Sequence, residues 1–523
     1  MNRRDFLRRS SAAGLLPIVM NGYGVRAYAN SPLLEAVAAA GCEDRVLVLV
    51  QLQGGNDGLN TVIPLDQYGA YQSVRGNIAI AEAQALKLTE AVGLHPQMAA
   101  VQTMFKNGQI RLVQSVGYPV PNYSHFRSTD IWLSGSDSEE VISTGWLGRF
   151  LEHEYPGFPD GYPNATMPDP LAIQIGSVIS MGLEGHAANM GMAFTDPTSY
   201  YNINNGNTAP GVGARAGQEL TFIRKVGQQI ERFATPVKNA ASRATNKSGK
   251  YPAAKTNPLA DQLKIVAQLI AGGLKTRVYV VSLSGFDTHS YQVSGGAGSP
   301  VPHGTLLNQV SVAIDAFQDD LRLLGVQDRV MGMTFSEFGR RIRSNGSGGT
   351  DHGAAAPIFL FGTNVVSGVL GANPTIDTAV GPEDNLPMQF DFRSVYATLL
   401  KDWFCVPPDT VRELLYRDFP LLALIKGGSP TSVSDAVLDA TTSLSVVPNP
   451  IHDIGRVQFI CAPGPIRLSL FDATGREVAV MAEGSGNGSG DVLLRASTLP
   501  AGIYHVRLQD ARSVRMTQVA VVR

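Results

Sequence analysis

Carboxylate and imidazole side chains recur at four places in this sequence where an apolar run gives way to a polar turn. They are Asp57 in GGNDG, Ser124 with His125 in YSHF, Asp287 and His289 in GFDTH, and Glu337, Asp351 and His352 in SEFGRRIRSNGSGGTDHG. Such groups are costly to bury at strand ends unless a partner compensates them, and a metal ion is one such partner. Each cluster alone is weak evidence, but the four together favour a metal site.

The composition of the four clusters narrows the choice of metal. Carboxylates and imidazoles dominate and thiolates are absent, which suits Zn, Mn, Ca or Mg better than a cysteine-type zinc site. Side chains alternate along an extended segment, so Asp287 and His289 share a face and could bind one ion together. Adjacent Asp351 and His352 either serve two different ions or are brought together by a bent loop. A two-metal site needs a bridging carboxylate, and Asp57 is the candidate.

The second cluster could supply a nucleophile. Ser124 stands at the start of a predicted helix, where backbone N–H groups and the helix dipole favour an anion such as phosphate or sulfate. The same position also suits a helix N-cap, and the sequence leaves both roles open. His125 could bind an ion or orient the anion. Arg127 and Arg149 could clamp an anionic group, although structural roles are commoner for such arginines.

The polar clusters need a scaffold, and the chain predicts one. Val46 to Leu52 is an apolar run, broken by Gln51, that is typical of a central parallel strand. Ligands bind at the carboxyl edge of such sheets. Strands and helices alternate up to about Leu424. This alternation predicts a three-layer α/β/α sandwich with a mostly parallel sheet. Residues 425–442 form a polar linker, and residues 443–523 alternate in short segments that predict a small all-β sandwich.

Composition excludes some classes of partner. The chain has 523 residues, of which 44% are hydrophobic, and a formal net charge of −2. That balance supports a sizeable core and argues against a nucleic-acid partner, which would require a basic face. The three cysteines, Cys42, Cys405 and Cys461, form no disulfide framework; thiols are the favoured interpretation, although one pair could bridge.

The N-terminus predicts export. Residues 1–29 combine Arg3-Arg4, Phe6-Leu7, a short apolar stretch and an Ala-Tyr-Ala end. This pattern is typical of a twin-arginine signal peptide, which makes the Tat translocon a predicted partner. The apolar stretch is too short and too interrupted to remain in a bilayer, and no other run is long enough, so no stable transmembrane span is expected.

Several phrases of the sequence resemble the DUF1501 family in matching order. They are VLVQLQGGNDGLNTVIPL, YSHFRSTDIWLSG, TGWLGR, GFDTHSYQ and FSEFGRRIRSNGSGGTDHG, within residues 44–424. The resemblance implies an alkaline phosphatase/sulfatase-like fold with a metal site at the strand ends. It implies Ser124 as the nucleophile, and as metal ligands Asp57, Asp287, His289, Glu337, Asp351 and His352.

The C-terminal region carries a second resemblance. SVVPNPIHD, LFDATGREV and LPAGIYHVRL resemble the sorting domain of the type IX secretion system. The resemblance implies passage through the periplasm and delivery by the type IX machinery to the outside of the cell or its surface.

Two functions are consistent with these patterns. The first is a secreted, metal-dependent hydrolase of phosphate or sulfate esters, with Ser124 as nucleophile, His125 beside it and an anionic ester as substrate. The second is a non-catalytic metal-binding protein of the cell surface, built on a degenerate hydrolase fold. Turnover distinguishes them, since only the first should depend on Ser124.

Overall fold

The computed structural model describes residues 42–197, 232–294, 302–428, 443–447, 449–472, 476–510 and 514–522. It also describes two short paired strands, Val19–Met20 and Tyr23–Gly24. The rest of the predicted signal peptide and residues 429–442 of the predicted linker lie outside the described residues.

A nine-stranded sheet forms the centre of the larger region. Its strands, in chain order, are β1 Val46–Gln53, β2 Ile110–Gly117, β3 Ala172–Ile175, β4 Gly191–Phe194, β5 Val278–Ser284, β6 Val330–Phe335, β7 Ala356–Phe361, β8 Gly368–Leu370 and β9 Phe390–Asp391. Their order across the sheet is β8-β2-β7-β6-β1-β5-β3-β4, with β9 also pairing with β2.

Strand direction decides which loops meet at one edge. Among the nine described strands, β7 alone pairs antiparallel with its neighbours β6 and β2, and the other pairs are parallel. The carboxyl ends of β1, β2, β5 and β6 therefore share an edge with the amino end of β7. The loops after those four strands and the loop before β7 all open at this edge, which is where ligands bind in such sheets.

The central strands are buried along their length. Every residue of β2, β6 and β7 is buried, as are seven of the eight in β1. Side chains of both faces are therefore covered, as expected of a sheet between two layers of helices. The described helices are Gly58–Thr61, Tyr68–Val74, Ala99–Lys106, His125–Ser134, Trp146–Glu154, 232–243, Pro258–Ala271, His303–Leu324, Phe392–Thr398 and Pro408–Leu415, with a π-helical turn at Leu399–Trp403.

The long helices have clear sequence boundaries. Asn257 caps helix Pro258–Ala271 by accepting a hydrogen bond from the Ala260 N–H, and Pro258 fills the first helical position. Helix His303–Leu324 ends at Gly325, whose φ of 75° lies in the left-handed region that glycine adopts without strain. Both helices bury their apolar faces in the main core.

Smaller elements complete this region. Three short strands, Val62–Pro64, Leu86–Lys87 and Val92–Leu94, form an antiparallel sheet of their own. Single 3₁₀ turns lie at Leu65–Gln67, Glu82–Gln84, Pro96–Met98, Met181–Leu183 and Gln327–Arg329.

The C-terminal region forms a separate antiparallel sheet. Its strands are Ser443–Val447, Ile454–Asp472, Glu477–Arg495, Gly502–Gln509 and Val514–Val521, with a 3₁₀ turn at Ala496–Thr498. All five strands contribute to a second hydrophobic core that includes Val457, Leu470 and Val506. The predicted fold class is confirmed: a mixed α/β region with a large, mostly parallel sheet is followed by an all-β region.

One interpretation of the sequence requires correction. Cys42 and Cys405 form a disulfide across 363 residues of chain, whereas thiols were the favoured interpretation. The fold joins them because Cys42 precedes β1 and Cys405 follows the π-helical turn Leu399–Trp403. The stretch between Gly157 and Ala254 contributes β3 and β4 to the main sheet. Within the part of the chain that the structure describes, no helix combines the length and apolar character needed to cross a bilayer.

Candidate metal centre

The polar clusters lie at the common edge of the main sheet. Asp57 follows β1, His125 lies in the segment after β2, Asp287 and His289 follow β5, and Glu337 follows β6. Asp351 and His352 precede β7, which reaches the same edge because it runs in the opposite direction. The topology therefore gathers residues separated by more than 200 positions in the chain.

Glycine allows two of these loops to approach closely. A Cβ on Gly54 would stand 2.3 Å from the Asp287 nitrogen, and the φ of Gly54 is 121°. A Cβ on Gly349 would stand 2.4 Å from the His289 carbonyl carbon. Only glycine lets the loop after β1 and the loop before β7 pack this closely against the segment after β5.

Arg340 connects the loops of the site through its hydrogen bonds. Its buried guanidinium donates to the carbonyl oxygens of Gly54, Gly55, Phe286 and Thr350. It also donates to Asp287 Oδ1 at 2.8 Å. The Arg340 guanidinium thus fixes the position of Asp287.

Three imidazole rings are each held at Nδ1 by an oxygen acceptor. His125 Nδ1 lies 2.9 Å from Glu337 Oε1, and His289 Nδ1 lies 2.9 Å from Asp351 Oδ1. His352 Nδ1 lies 2.8 Å from the carbonyl oxygen of Tyr123. Carboxylate and carbonyl oxygens accept hydrogen bonds, so each Nδ1 donates its proton and each Nε2 of the neutral ring carries a lone pair.

The three Nε2 atoms converge on Asp287. His289 Nε2 and His352 Nε2 both lie 3.2 Å from Asp287 Oδ1, and they lie 2.8 Å from each other. His125 Nε2 lies 3.5 Å from Asp287 Oδ2. His125, Asp287 and His352 also satisfy the mutual spacing of ligand atoms around a metal ion, within 4.8 Å of one another. Imidazole ligands of metals are held at their other nitrogen in this way.

The charges of the cluster favour a cation at its centre. Burial opposes ionisation of the Asp287 carboxyl, but Arg340, His352 and His289 outweigh it and lower its pKa. Burial likewise opposes ionisation of Asp351, while Asn345, His289 and Arg341 lower its pKa. Burial lowers the pKa of His352 below its ordinary value. Ionised carboxylates beside imidazole rings that donate from Nδ1 form a set of ligand atoms that a divalent ion would bind.

Glu337 and Asp351, both predicted metal ligands, contact the Nδ1 atoms of His125 and His289. The Glu337 side chain is 4% exposed and its Oε1 also accepts the Gly54 N–H at 2.8 Å. Asp351 Oδ1 also accepts from Asn345 Nδ2 at 3.0 Å. In this arrangement both carboxylates orient an imidazole.

Asp57 has other partners. Arg75 Nη1 lies 2.8 Å and 2.6 Å from its two carboxylate oxygens, and Gln292 Nε2 donates to Oδ2 at 2.5 Å. The side chains of Asp57 and Arg75 are both fully buried. Burial opposes ionisation of Asp57, but Arg75, His303 and Gln292 outweigh it and lower its pKa. Asp57 and Arg75 therefore form a buried ion pair.

Ser124 occupies the N-cap position of helix His125–Ser134 but makes no capping hydrogen bond through its side chain. Ser124 is exposed. It lies between Tyr123, whose carbonyl oxygen holds His352, and His125. The hydroxyl is thus adjacent in the chain to two groups of the cluster and is not committed to the cap.

The two arginines considered for anion binding have structural partners. Arg127 donates to the carbonyl oxygens of Asp137, Ser138 and Glu140. Arg149 is buried and donates to the carbonyl oxygens of Ser134, Thr144 and Leu414.

The chain matches two family models. Residues 238–421 match the model described as a protein of unknown function, DUF1501, and residues 445–523 match the secretion system C-terminal sorting domain. The chain carries a DUF1501 region and a secretion sorting domain. The sorting domain indicates secretion by the type IX route to the cell surface or the extracellular space. Asp287, His289, Glu337, Asp351 and His352 lie within the matched DUF1501 residues.

A comparison with curated protein sequences gives no match. Solved structures give distant likenesses. A protein in the alkaline phosphatase superfamily from Vibrio parahaemolyticus is 9% identical, with 99% of this chain and 91% of that chain covered and a TM-score of 0.33. A sulfatase from Pseudoalteromonas sp. is 11% identical, with 90% and 89% covered and a TM-score of 0.32. A phosphonate monoester hydrolase from Silicibacter pomeroyi is 10% identical, with 91% and 88% covered and a TM-score of 0.28. Scores this low carry no argument about function.

Proposed function

We propose that this protein is a secreted, metal-dependent hydrolase of phosphate or sulfate esters with Ser124 as its nucleophile. One observation carries the proposal: three imidazole Nε2 atoms converge on the Asp287 carboxylate while an oxygen holds each ring at Nδ1. Such a set of nitrogen and oxygen donors suits a divalent metal ion.

The residues present fit a divalent metal ion. His125, His289, His352 and Asp287 would hold it, while Glu337, Asp351 and the Tyr123 carbonyl orient the rings. Three nitrogen donors and one oxygen donor favour zinc, whereas calcium and magnesium prefer oxygen ligands; manganese stays possible through the carboxylate. A bound ion would supply a Lewis acid for an ester oxygen and lower the pKa of a nearby hydroxyl.

We assign Ser124 as the group that attacks an anionic ester. Its oxygen would bond to phosphorus or sulfur, the bond to the leaving alcohol oxygen would break, and water would later release the group from the serine. The N-terminus of helix His125–Ser134 favours the negative charge of the ester at this position. We assign His125 to metal binding beside the nucleophile and Asp57 to the buried ion pair with Arg75.

The export route extends the proposal. We assign residues 1–29 to a twin-arginine signal read by the Tat translocon, residues 44–424 to the hydrolase domain, 425–442 to a linker and 443–523 to the sorting domain. The disulfide Cys42–Cys405 supports passage through an oxidising compartment such as the periplasm, because disulfides persist there.

Turnover of aryl phosphates and aryl sulfates tests the proposal. The purified protein is stripped with EDTA, reloaded with Zn²⁺ or Mn²⁺ and compared with Ser124→Ala. We expect turnover only after reloading and a loss of kcat of about 10³-fold or more in the variant, with metal content unchanged. Ser73→Ala is the matched control, since Ser73 is exposed and its hydroxyl donates to the carbonyl oxygen of Ala70.

The same experiment distinguishes the hydrolase from the non-catalytic alternative. Metal binding without turnover of either ester class would support a non-catalytic metal-binding protein of the cell surface. Turnover that persists in Ser124→Ala would remove Ser124 as the nucleophile.

A further inference from the structure

A cavity lies at the start of helix His303–Leu324, and its lining contains none of the four side chains proposed to hold the metal. Its volume is about 400 Å³, and its walls include His95, Gln292 and His303. This volume falls in the range of roughly 300–1,000 Å³ that small-molecule sites occupy. The cavity is therefore large enough for a ligand of several polar atoms.

The described lining of the cavity is uncharged. Of the described residues that line the cavity, none is an aspartate, glutamate, lysine or arginine. Five carry amide side chains, of which those of Asn60 and Gln292 are engaged inside the protein. The amides of Gln84, Gln97 and Asn308 lie on exposed residues of the lining. Amides offer donors and acceptors without net charge. A charged ligand would lose hydration here without a countercharge in return.

The two histidines supply the most specific groups. His95 Nδ1 accepts the Gln97 N–H at 3.1 Å, so the proton of the neutral ring is on Nε2, which is a donor. His303 Nε2 lies 2.9 Å from Asn56 Oδ1, so Nδ1 carries the lone pair. This buried Nδ1 has no hydrogen-bond partner among the described residues, and His303 is 2% exposed. A buried acceptor left without a partner costs about 1–3 kcal/mol unless a ligand or water satisfies it.

We infer that this cavity binds an uncharged, polyhydroxylated ligand of monosaccharide size. Hydroxyl groups both donate and accept, so they match amides and two neutral imidazoles of opposite polarity. The C–H faces of a sugar ring match the apolar parts of the wall, Ile80 and Val293. The ligand could be a free sugar or the end of a glycan, which share this chemistry. The inference does not depend on the hydrolase proposal.

Saturation-transfer NMR on the full chain tests it. The panel is D-glucose, D-galactose, D-mannose, L-fucose and myo-inositol, with the methyl glycosides of the four sugars and with D-glucuronate as the charged comparator. EDTA keeps the metal centre out of the measurement. We expect at least one neutral compound to bind in a saturable manner. If D-glucose is that compound, D-glucuronate should bind at least tenfold more weakly than D-glucose; otherwise D-glucuronate should give no signal. Equal binding of the free sugar and its methyl glycoside would indicate a glycan end.

Two variants locate the binding. Asn308→Trp occludes the cavity from its exposed side, and His303→Phe removes the buried acceptor; each should weaken binding at least tenfold. Asn239→Trp is the matched control, because Asn239 is exposed on helix 232–243 and does not line the cavity. Should His303→Phe fail to fold, Asn308→Trp alone decides. The inference is overturned if no neutral compound binds, or if binding persists unchanged in Asn308→Trp.

Discussion

His289 Nε2 lies 2.8 Å from His352 Nε2, a hydrogen-bonding distance at which two lone pairs repel each other unless one ring donates a proton or an ion binds both. The Nδ1 atoms of both rings are already engaged, by Asp351 and by the Tyr123 carbonyl oxygen. A proton would therefore have to make one ring an imidazolium. A divalent ion would instead bind both lone pairs together with Asp287, and the functional proposal rests on this arrangement.

Asp351→Asn should weaken metal binding without removing a ligand. Asparagine can no longer provide the charged acceptor that holds the His289 Nδ1 proton, so the ring loses basicity and orientation. We expect the dissociation constant for Zn²⁺, measured by competition with a chelator, to rise about 10- to 100-fold. Asp409→Asn, on an exposed carboxylate of helix Pro408–Leu415, should leave it unchanged. An unchanged constant in Asp351→Asn would show that Asp351 does not support His289.

Asp57→Asn should destabilise the fold and spare the metal. The substitution leaves the buried Arg75 guanidinium without a countercharge, which costs about 3–5 kcal/mol of unfolding free energy. Urea unfolding and the zinc dissociation constant are measured on the same sample. If zinc affinity falls tenfold while stability changes little, Asp57 is a ligand, as the sequence predicted, and the ion-pair assignment is wrong.

Stability should fall as the pH drops below about 6.5, in part through His303. Burial lowers the pKa of His303 to about 3, so the folded protein keeps the ring neutral while the unfolded chain binds a proton below its ordinary pKa of 6.5. Stability from this residue is present above pH 6.5 and is lost as the pH falls toward 3. Between pH 7 and pH 5 the loss is about 2 kcal/mol.

The pH prediction is checked by urea unfolding in EDTA. His303→Gln should reduce the difference in unfolding free energy between pH 7 and pH 5 by that amount. His153→Gln is the control, because the His153 side chain is 44% exposed. A pH dependence that is identical in wild type and His303→Gln would contradict the prediction.

Reduction of the Cys42–Cys405 disulfide should destabilise the larger region. The bond closes a loop of 363 residues, and removing it frees the unfolded chain. We expect the double variant Cys42→Ser, Cys405→Ser to lose about 2–5 kcal/mol of unfolding free energy. The wild type in a reductant should lose the same amount, and Cys461→Ser should not reproduce it. Equal stability of oxidised and reduced protein would show that the bond does not contribute.

Much of the fold could be predicted from the sequence, because its signals are local. The apolar run of β1 and the boundary residues of the helices identify their elements without knowledge of the rest. The antiparallel direction of β7 could not be read in this way, because direction depends on which strands it joins. The bond between Cys42 and Cys405 escaped for the same reason.

The placement of the candidate site was predicted in part. The structure brings Asp287, His289 and His352 together, as expected from their place at strand ends, which meet at one edge of the sheet. Their role as metal ligands stays a prediction. Whether Glu337 and Asp351 bind a metal or orient an imidazole depends on side-chain direction, which spacing alone does not give. Arg340 and the Tyr123 carbonyl were missed. Most partners of Arg340 are backbone oxygens, which are present whatever the side chains are, so the sequence does not identify them. The arginine pair in FGRR was the one feature of the sequence that pointed to Arg340.

Metal content after purification tests the central claim most directly. The folded chain is reloaded with Zn²⁺, desalted and analysed by inductively coupled plasma mass spectrometry, beside a His289→Ala, His352→Ala double variant. The account predicts about one ion per chain in the wild type and none in the variant, with both proteins folded by circular dichroism. A wild type that retains no zinc or manganese, or a variant that retains as much as the wild type, would contradict the metal centre and the function built on it.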